Sequence, residues 1–302
     1  KDVYVEKPLT LTIAEGKFLR KVVKDTGRVL QVGSWQRSDS RFRRAVEMVH
    51  QGRIGKLERV DVVLGKNKLG GPFQVFPVPG HFNWNLWQGQ NVNVPYNPER
   101  SHYTFRWWYE YSGGQMTDWG AHHTDIAMWA LGMENTGPVT IEGKGDFNTK
   151  PDCYNVARSF DTTGTFANGN EIRLTSGPNE LIIEGEKGKI RVNRGSLTGK
   201  PVEDILASDQ EKQWLAEETE KLYGGKPKPH MVNFFSCGKS RSLPVSDVFT
   251  HHRSVSFCHL TNIAMLLGRK LEWDPKKEDF LGDEQASAML SREQRKGFEI
   301  KT

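Results

Sequence analysis

Residues 3–33 switch periodicity twice, and this limits the fold more than any other feature of the chain. Val3-Tyr4-Val5 is a short β-branched and aromatic run that ends in Glu6-Lys7-Pro8. Thr12-Ile13-Ala14-Glu15 has the form of a capping box. Phe18, Leu19, Val22 and Val23 then recur at helical spacing, and Gly27 stops the pattern. Val29 to Gly33 is strand-like again. Strand, helix, strand within about 30 residues is a βαβ unit, so the chain opens as α/β with a parallel pair. The opening strand needs a neighbour and begins almost at residue 1, without Met or an export signal. A missing upstream segment is therefore expected.

A second helix is predicted from about Ser40 to Gln51, with Phe42, Ala45, Val46 and Val49 inward and Gly52 as its stop. Leu57 to Leu64 reads as a strand. Residues 65–111 are rich in Pro, Asn, Gly and aromatic residues, and a loop of that length in a compact domain is usually functional. Its aromatics have two readings. They are core and loop anchors, or they form a carbohydrate or cofactor wall, with Trp84 and Tyr96 as candidate substrate contacts. An apolar helix is expected from about Gly114 to Leu131, closed by Gly132. Residues 139–192 read as short antiparallel strands, with an Asn168-Gly169 hairpin signal and a second turn around Gly185 to Gly188. Residues 196–225 are charged and weakly periodic, hence surface. Two helices follow over 226–267, the second capped near Ser246 or Asp247 and stopped by Gly268.

Composition excludes several functions. The 302 residues suffice for about two domains. No apolar run reaches the roughly 18 residues of a membrane helix. Basic and acidic residues number 42 and 37, a net charge of +5, and apart from Arg37 to Arg44 the basic ones are scattered. Nucleic-acid binding would need a denser stripe. Cys153, Cys237 and Cys258 are too few and too far apart for a disulfide framework or a zinc cluster. His251, His252 and His259 suggest a metal, but no further ligands complete a set.

The chemistry concentrates in Gly113 to Asp125. Asp118, His122 and Asp125 are spaced i, i+4, i+7, which places them on one helix face. A carboxylate one turn from a histidine can fix its tautomer and raise its basicity, as a general acid/base requires. The same spacing also suits a satisfied buried pair without chemistry. Lys7 closes an apolar strand at the end that faces the ligand crevice in parallel sheets, where a lysine can stabilise an alkoxide.

Val5-Glu6-Lys7-Pro8 resembles the Glu-Lys-Pro signature of the Gfo/Idh/MocA oxidoreductases. Gly113-Gly114, Asp118, Gly120, His122 and Asp125 resemble that family's helix, and His252-Arg253-Ser254 through Trp273-Asp274 resemble the C-terminal part of its secreted branch. The resemblance implies an α/β fold: the remnant of a Rossmann domain over residues 1–35, then an α+β substrate domain over 36–270 with a large, mostly antiparallel open sheet. A tail over 271–302 would pack back on the Rossmann side. It also implies hydride transfer between NAD or NADP and a sugar or polyol carbon. Catalytic roles fall to Lys7, Asp118 and His122, and cofactor contacts to Glu6, Lys7, Pro8 and Gln36. Arg37, Trp84, Tyr96, His123 and Asp125 would meet substrate, with His123 either facing it or only packing.

One departure stands out. The family's Gly-x-Gly-x-x-Gly phosphate cradle lies upstream of Glu-Lys-Pro, and these residues hold no substitute, so the chain alone is expected to bind NAD poorly. Two further readings remain open: an NAD-dependent glycosidase working by oxidation and elimination, and a non-catalytic carbohydrate-binding homologue. The resemblance further implies a homodimer or homotetramer through the open sheet, in the cytoplasm or periplasm.

Overall fold

The computed structural model describes residues 1–300. Strand β1 (Val3–Val5), helix α1 (Ile13–Thr26) and strand β2 (Leu30–Val32) form the expected βαβ unit, with Val3 opposite Leu30 and Val5 opposite Val32 in parallel. Both halves of the Thr12/Glu15 capping box are made, and Gly27 ends α1 in the left-handed region. No further strand pairs with the other edge of β1 among the described residues. The far edge of β2 is covered by an isolated bridge from Gln31 to Asp247.

Helix α2 (Ser40–His50) leads into β3 (Leu57–Leu64). The segment that follows carries only the short helix α3 (Trp84–Gln88) and single 3-10 turns before helix α4 (Gly120–Ala130). Strands β4 (Thr140–Gly145), β5 (Phe160–Thr165), β6 (Glu171–Ser176), β7 (Glu180–Gly185), β8 (Gly188–Val192) and β9 (Leu197–Thr198) come next. Helices α5 (Lys200–Leu206), α6 (Asp209–Leu222), α7 (His230–Ser240) and α8 (Val248–Leu267) precede β10 (Leu271–Asp274), β11 (Asp279–Phe280) and α9 (Glu284–Ala288).

Nine strands form one sheet in the order β11-β10-β4-β5-β6-β3-β7-β8-β9. It is antiparallel except where β3 runs parallel to β6. The earliest strand therefore sits in the middle. The link from β6 to β7 crosses over its end: Gly177 N donates to Leu64 O (2.7 Å) and Gly65 N to Asn179 Oδ1 (2.8 Å). A Cβ on Gly177 would stand 2.7 Å from Val63 Cγ1, so the crossing needs glycine.

Alternation along β3 and β5–β8 turns Val60, Val62, Leu64, Ile172, Leu174, Ile183 and Ile190 onto one buried face. Helices α2, α4 and α8 cover it with Phe42, Val46, Ile126, Met128 and Phe257. Each such side chain contributes roughly 1.5–3 kcal/mol by burial. Helix α8 ties the molecule together. Its Val248 and Val255 pack with Leu30 and Val32, its Phe257 and Cys258 join the sheet core, and its Leu260 and Ile263 pack with Leu271 and Trp273.

Two expectations are corrected, and the expected surface stretch 196–225 proves helical. The helix expected from Gly114 begins at Gly120, because Gly114 is left-handed (φ 65°) and a 3-10 turn over Gly114–Met116 intervenes. The charged stretch 196–225 contains α5 and α6, whose few inward apolar residues (Val202, Ile205, Leu215) give little sequence signal. The segment 271–302 starts as edge strands of the large sheet, and only later does Leu290 O accept from Ala14 N (2.9 Å) at the start of α1.

Candidate active site

The end of β1 delivers Lys7 to the turn just before α4. Lys7 Nζ pairs with Asp118 Oδ1 and also donates to the Asp118 carbonyl (3.2 Å). Arg106 Nη1 donates to the other carboxylate oxygen (2.9 Å). Asp118 thus has a cation on each oxygen. One turn on, in the first turn of α4, His122 is buried at 3% exposure and its Nδ1 has no partner. The ring meets the edge of Trp119 with centroids 6.3 Å apart. Burial first, and then the charges of Lys7 and Arg194, push the His122 imidazole well below its ordinary protonation range. This favours the neutral ring, and the basicity expected from a bond to Asp118 is corrected, because both Asp118 oxygens go to Lys7 and Arg106.

Gln36 and Arg194 complete the wall. The Gln36 amide, in the orientation its neighbours dictate, donates to His122 O (3.2 Å) and accepts from Arg194 Nε (3.2 Å). Gln36 is fully buried, so it supports His122 and Arg194 rather than lying open to a cofactor as expected. The carboxylate of exposed Glu6 lies against Gly33, where a Cβ would stand 2.7 Å from Glu6 Oε2. Pro8 borders an adjoining cleft of about 450 Å³ with Thr10, Glu15, Tyr111, Gly113 and Thr117. Neither Lys7 nor His122 lines that cleft.

Asp125 does not share the site with Asp118. It is fully buried, and its oxygens are taken by Arg37 Nε (2.6 Å), Arg37 Nη2 (2.8 Å) and Ser254 Oγ (2.9 Å). Burial alone would raise this carboxylate, but Arg37 and His251 outweigh it and hold it well below the usual range. Arg37 is pushed upward for the reciprocal reason, its own burial being outweighed by Asp125. The expected substrate roles of Arg37 and Asp125 are therefore corrected. The pair pins α4, one turn after His122, to the 35–38 turn and to α8. The partners separate the two carboxylates: Lys7 and Arg106 hold Asp118, whereas Arg37 and Ser254 hold Asp125.

Trp84 and Tyr96 are likewise anchors rather than an open wall. Both are buried, their rings meet edge-on at 5.2 Å, and Trp84 Nε1 donates to Val94 O (2.9 Å). His123 packs between Phe42 and Trp119, and burial lowers it to about 3. The three histidines of α8 point to separate partners. His252 Nε2 donates to Glu278 (2.6 Å), His259 Nε2 donates to Thr10 O (3.1 Å), and His251 lies 3.9 Å from Asp125. No group of three or more metal-ligating side chains occurs among the described residues. Arg106 and Arg194 are the site residues that sequence reasoning missed. Arg106 lies in the 3-10 segment His102–Trp107 and Arg194 in the loop between β8 and β9, and no spacing marks either.

Residues 62–300 match the family described as "Oxidoreductase family, C-terminal alpha/beta domain", the second domain of Gfo/Idh/MocA proteins. The chain belongs to the Gfo/Idh/MocA oxidoreductase family. Over 151 residues it is 43% identical to the scyllo-inositol 2-dehydrogenase (NAD(+)) of Bacillus subtilis, covering 50% of this chain and 33% of that protein. The match thus spans about a third of that relative's length. Among solved structures, the aldose-aldose oxidoreductase of Caulobacter crescentus superposes with a TM-score of 0.61 at 16% identity, covering 90% of this chain and 72% of that one. The WlbA dehydrogenase of Bordetella pertussis, in complex with NADH and UDP-GlcNAcA, gives 0.60 at 16% identity over 91% and 72%. At such identities the likeness establishes the family's fold.

Proposed function

We propose that this chain supplies the substrate side and the proton-transfer residues of a nicotinamide-dependent oxidoreductase acting on a hydroxyl of a sugar or polyol. The observation that carries the reading is a neutral, buried His122 with an unpartnered ring nitrogen, beside a Lys7 fixed by Asp118. That nitrogen is buried and has no protein partner, which fits a group whose hydrogen bond is completed by a substrate hydroxyl. The curated relative's name supports both NAD and a polyol. When bound, the nicotinamide exchanges a hydride with the substrate carbon.

The chain's own residues do the rest. Glu6, Lys7 and Pro8 would hold the reacting end of the cofactor. His122 takes the hydroxyl proton on oxidation and returns it on reduction, because hydride leaves an alkoxide more readily than an alcohol. Lys7 places positive charge where the oxygen becomes negative. Asp118 holds Lys7 in place, and the Arg37–Asp125 pair holds the helix that carries His122. The outer face of the nine-strand sheet is the proposed homo-oligomer contact.

The test is NAD-dependent oxidation of a polyol and sugar panel by the holoenzyme. Lys7→Ala and His122→Ala should each lower turnover at least about a hundredfold, the size typical of a positioned acid/base or charge stabiliser. Near-normal turnover in both would remove the assigned roles.

A further inference from the structure

The site carries more positive charge than its one open carboxylate answers. Lys7 and Arg106 occupy the two oxygens of Asp118. Arg194 is left over: among the described residues no carboxylate lies within 4.0 Å of its guanidinium. It is half-buried all the same.

Several features hold this arginine still. Its guanidinium carbon lies 4.1 Å from the Trp119 ring centroid and 4.5 Å from that of Trp35, so two indoles flank it. Gln36 accepts from its Nε. The turn that presents it is locked from both ends. Asn193 N donates to Ser196 O (3.0 Å), and Asn193 Oδ1 accepts from Gly195 N (2.8 Å) and Ser196 N (2.9 Å). What stays unbonded within the protein is the terminal fork. Arg194 also shares Trp119 as a wall with His122.

We propose that Arg194 is a specificity-determining residue of this site, and that the substrate is an anionic sugar whose carboxylate or phosphate is bound by the free fork of its guanidinium. A planar fork with five donors matches such an oxyanion bidentately, and a pre-positioned fork loses little entropy on binding. Partial burial strengthens the pair relative to open water. Burial depresses the Arg194 guanidinium, and Asp118 and Asp39 offset only part of that. A purely structural clamp between two indoles would show no ligand preference, and this separates the two roles.

The inference rests on the proposed function only in placing the sugar beside Lys7 and His122. The test is calorimetric binding of glucuronate, glucose 6-phosphate and glucose to the wild-type chain, to Arg194→Gln and to Arg194→Lys. At least one anionic sugar should bind at least tenfold tighter than glucose. The tighter of the two identifies the oxyanion as carboxylate or phosphate. Arg194→Gln should abolish the preference, and Arg194→Lys, which keeps the charge but loses the fork, should retain only part of it. Should Arg194→Gln fail to fold, the wild-type preference and the lysine variant still decide. Equal affinity for all three sugars, no binding of either anion, or an undiminished preference in Arg194→Gln would overturn the proposal. Anion binding that depends on Arg194 without hydride transfer by the holoenzyme would overturn the reaction and keep the anion site. Hydride transfer confined to neutral polyols would do the reverse.

Discussion

Lys7 and Asp118 stand 111 positions apart in sequence and form one ion pair, with Arg106 closing the other side of the carboxylate. This pair is where the first βαβ unit meets the turn before α4. In the reading above, Asp118 aims the ammonium at the reacting oxygen. Asp118→Asn keeps the shape and removes the charge. Turnover of the holoenzyme should fall at least about tenfold, while the unfolding free energy from urea titration changes by no more than about 1 kcal/mol, as suits a partly exposed pair. Unchanged turnover would make the pair a structural link only.

The Arg37–Asp125 pair answers differently, because both partners are buried. Removing one leaves the other charge stranded in the interior. Arg37→Met should therefore destabilise by about 3–5 kcal/mol. Asp125→Asn should cost less, since the stranded Arg37 keeps Val245 O and the Trp129 ring as partners. Equilibrium urea unfolding checks both, and a loss below about 1 kcal/mol for Arg37→Met would mean that the buried charge finds water.

Stability should fall on mild acidification. An unfolded histidine titrates near 6.5, whereas burial lowers His123 to about 3 and His259 to about 4. Groups depressed by folding contribute fully above 6.5 and lose that contribution as the pH drops toward their folded values. From pH 7 to 5 the loss should be on the order of 2 kcal/mol for each of these two. Glu278, lowered to about 2 by His252, Arg253 and Arg20 against its own burial, keeps its contribution over this range and loses it only below about 4.5. Urea midpoints at pH 7, 6 and 5 test the slope, and a flat profile would contradict it.

Gly16 lies inside α1, where alanine is ordinarily better by roughly 0.5–1 kcal/mol. Here a Cβ would meet His252 Nδ1 at 2.3 Å. His252 is held by Glu278 and has little room to retreat. Gly16→Ala should therefore destabilise by about 1–3 kcal/mol despite the helix preference. A stabilised variant in thermal unfolding would show that His252 can swing aside.

Local patterns were legible wherever a short-range rule governed. The Thr12/Glu15 box, the Gly27 stop and the Leu57–Leu64 strand follow from spacing and caps, and so does the Asp247 to Gly268 frame of α8. The meeting of Lys7 with Asp118, one turn before His122, was legible because their motifs are local. Asp125 misled, since its helical spacing to Asp118 does not show that Arg37 and Ser254 hold it. Arg194 was invisible, because its role comes from Trp35, Gln36 and Trp119 on other elements. Trp84 and Tyr96 were read as possible substrate contacts because composition does not say which face of an aromatic cluster is open.

The central place of β3 bears on how the molecule is made. Val60 pairs with Ile172, 112 positions on, and with Ile183 on its other side. Until those partners are synthesised β3 has both edges unpaired, and once they fold the gap between β6 and β7 stays open until β3 seats in it. Closing it is a long-range event, slow by its topology. His122 meanwhile rides on a helix whose floor is that same sheet, so the reacting centre forms only with the last seam. In a crowded refolding mixture, the best substitute for residues 57–64 is the same segment from another copy, and strand exchange between chains is the failure this layout invites.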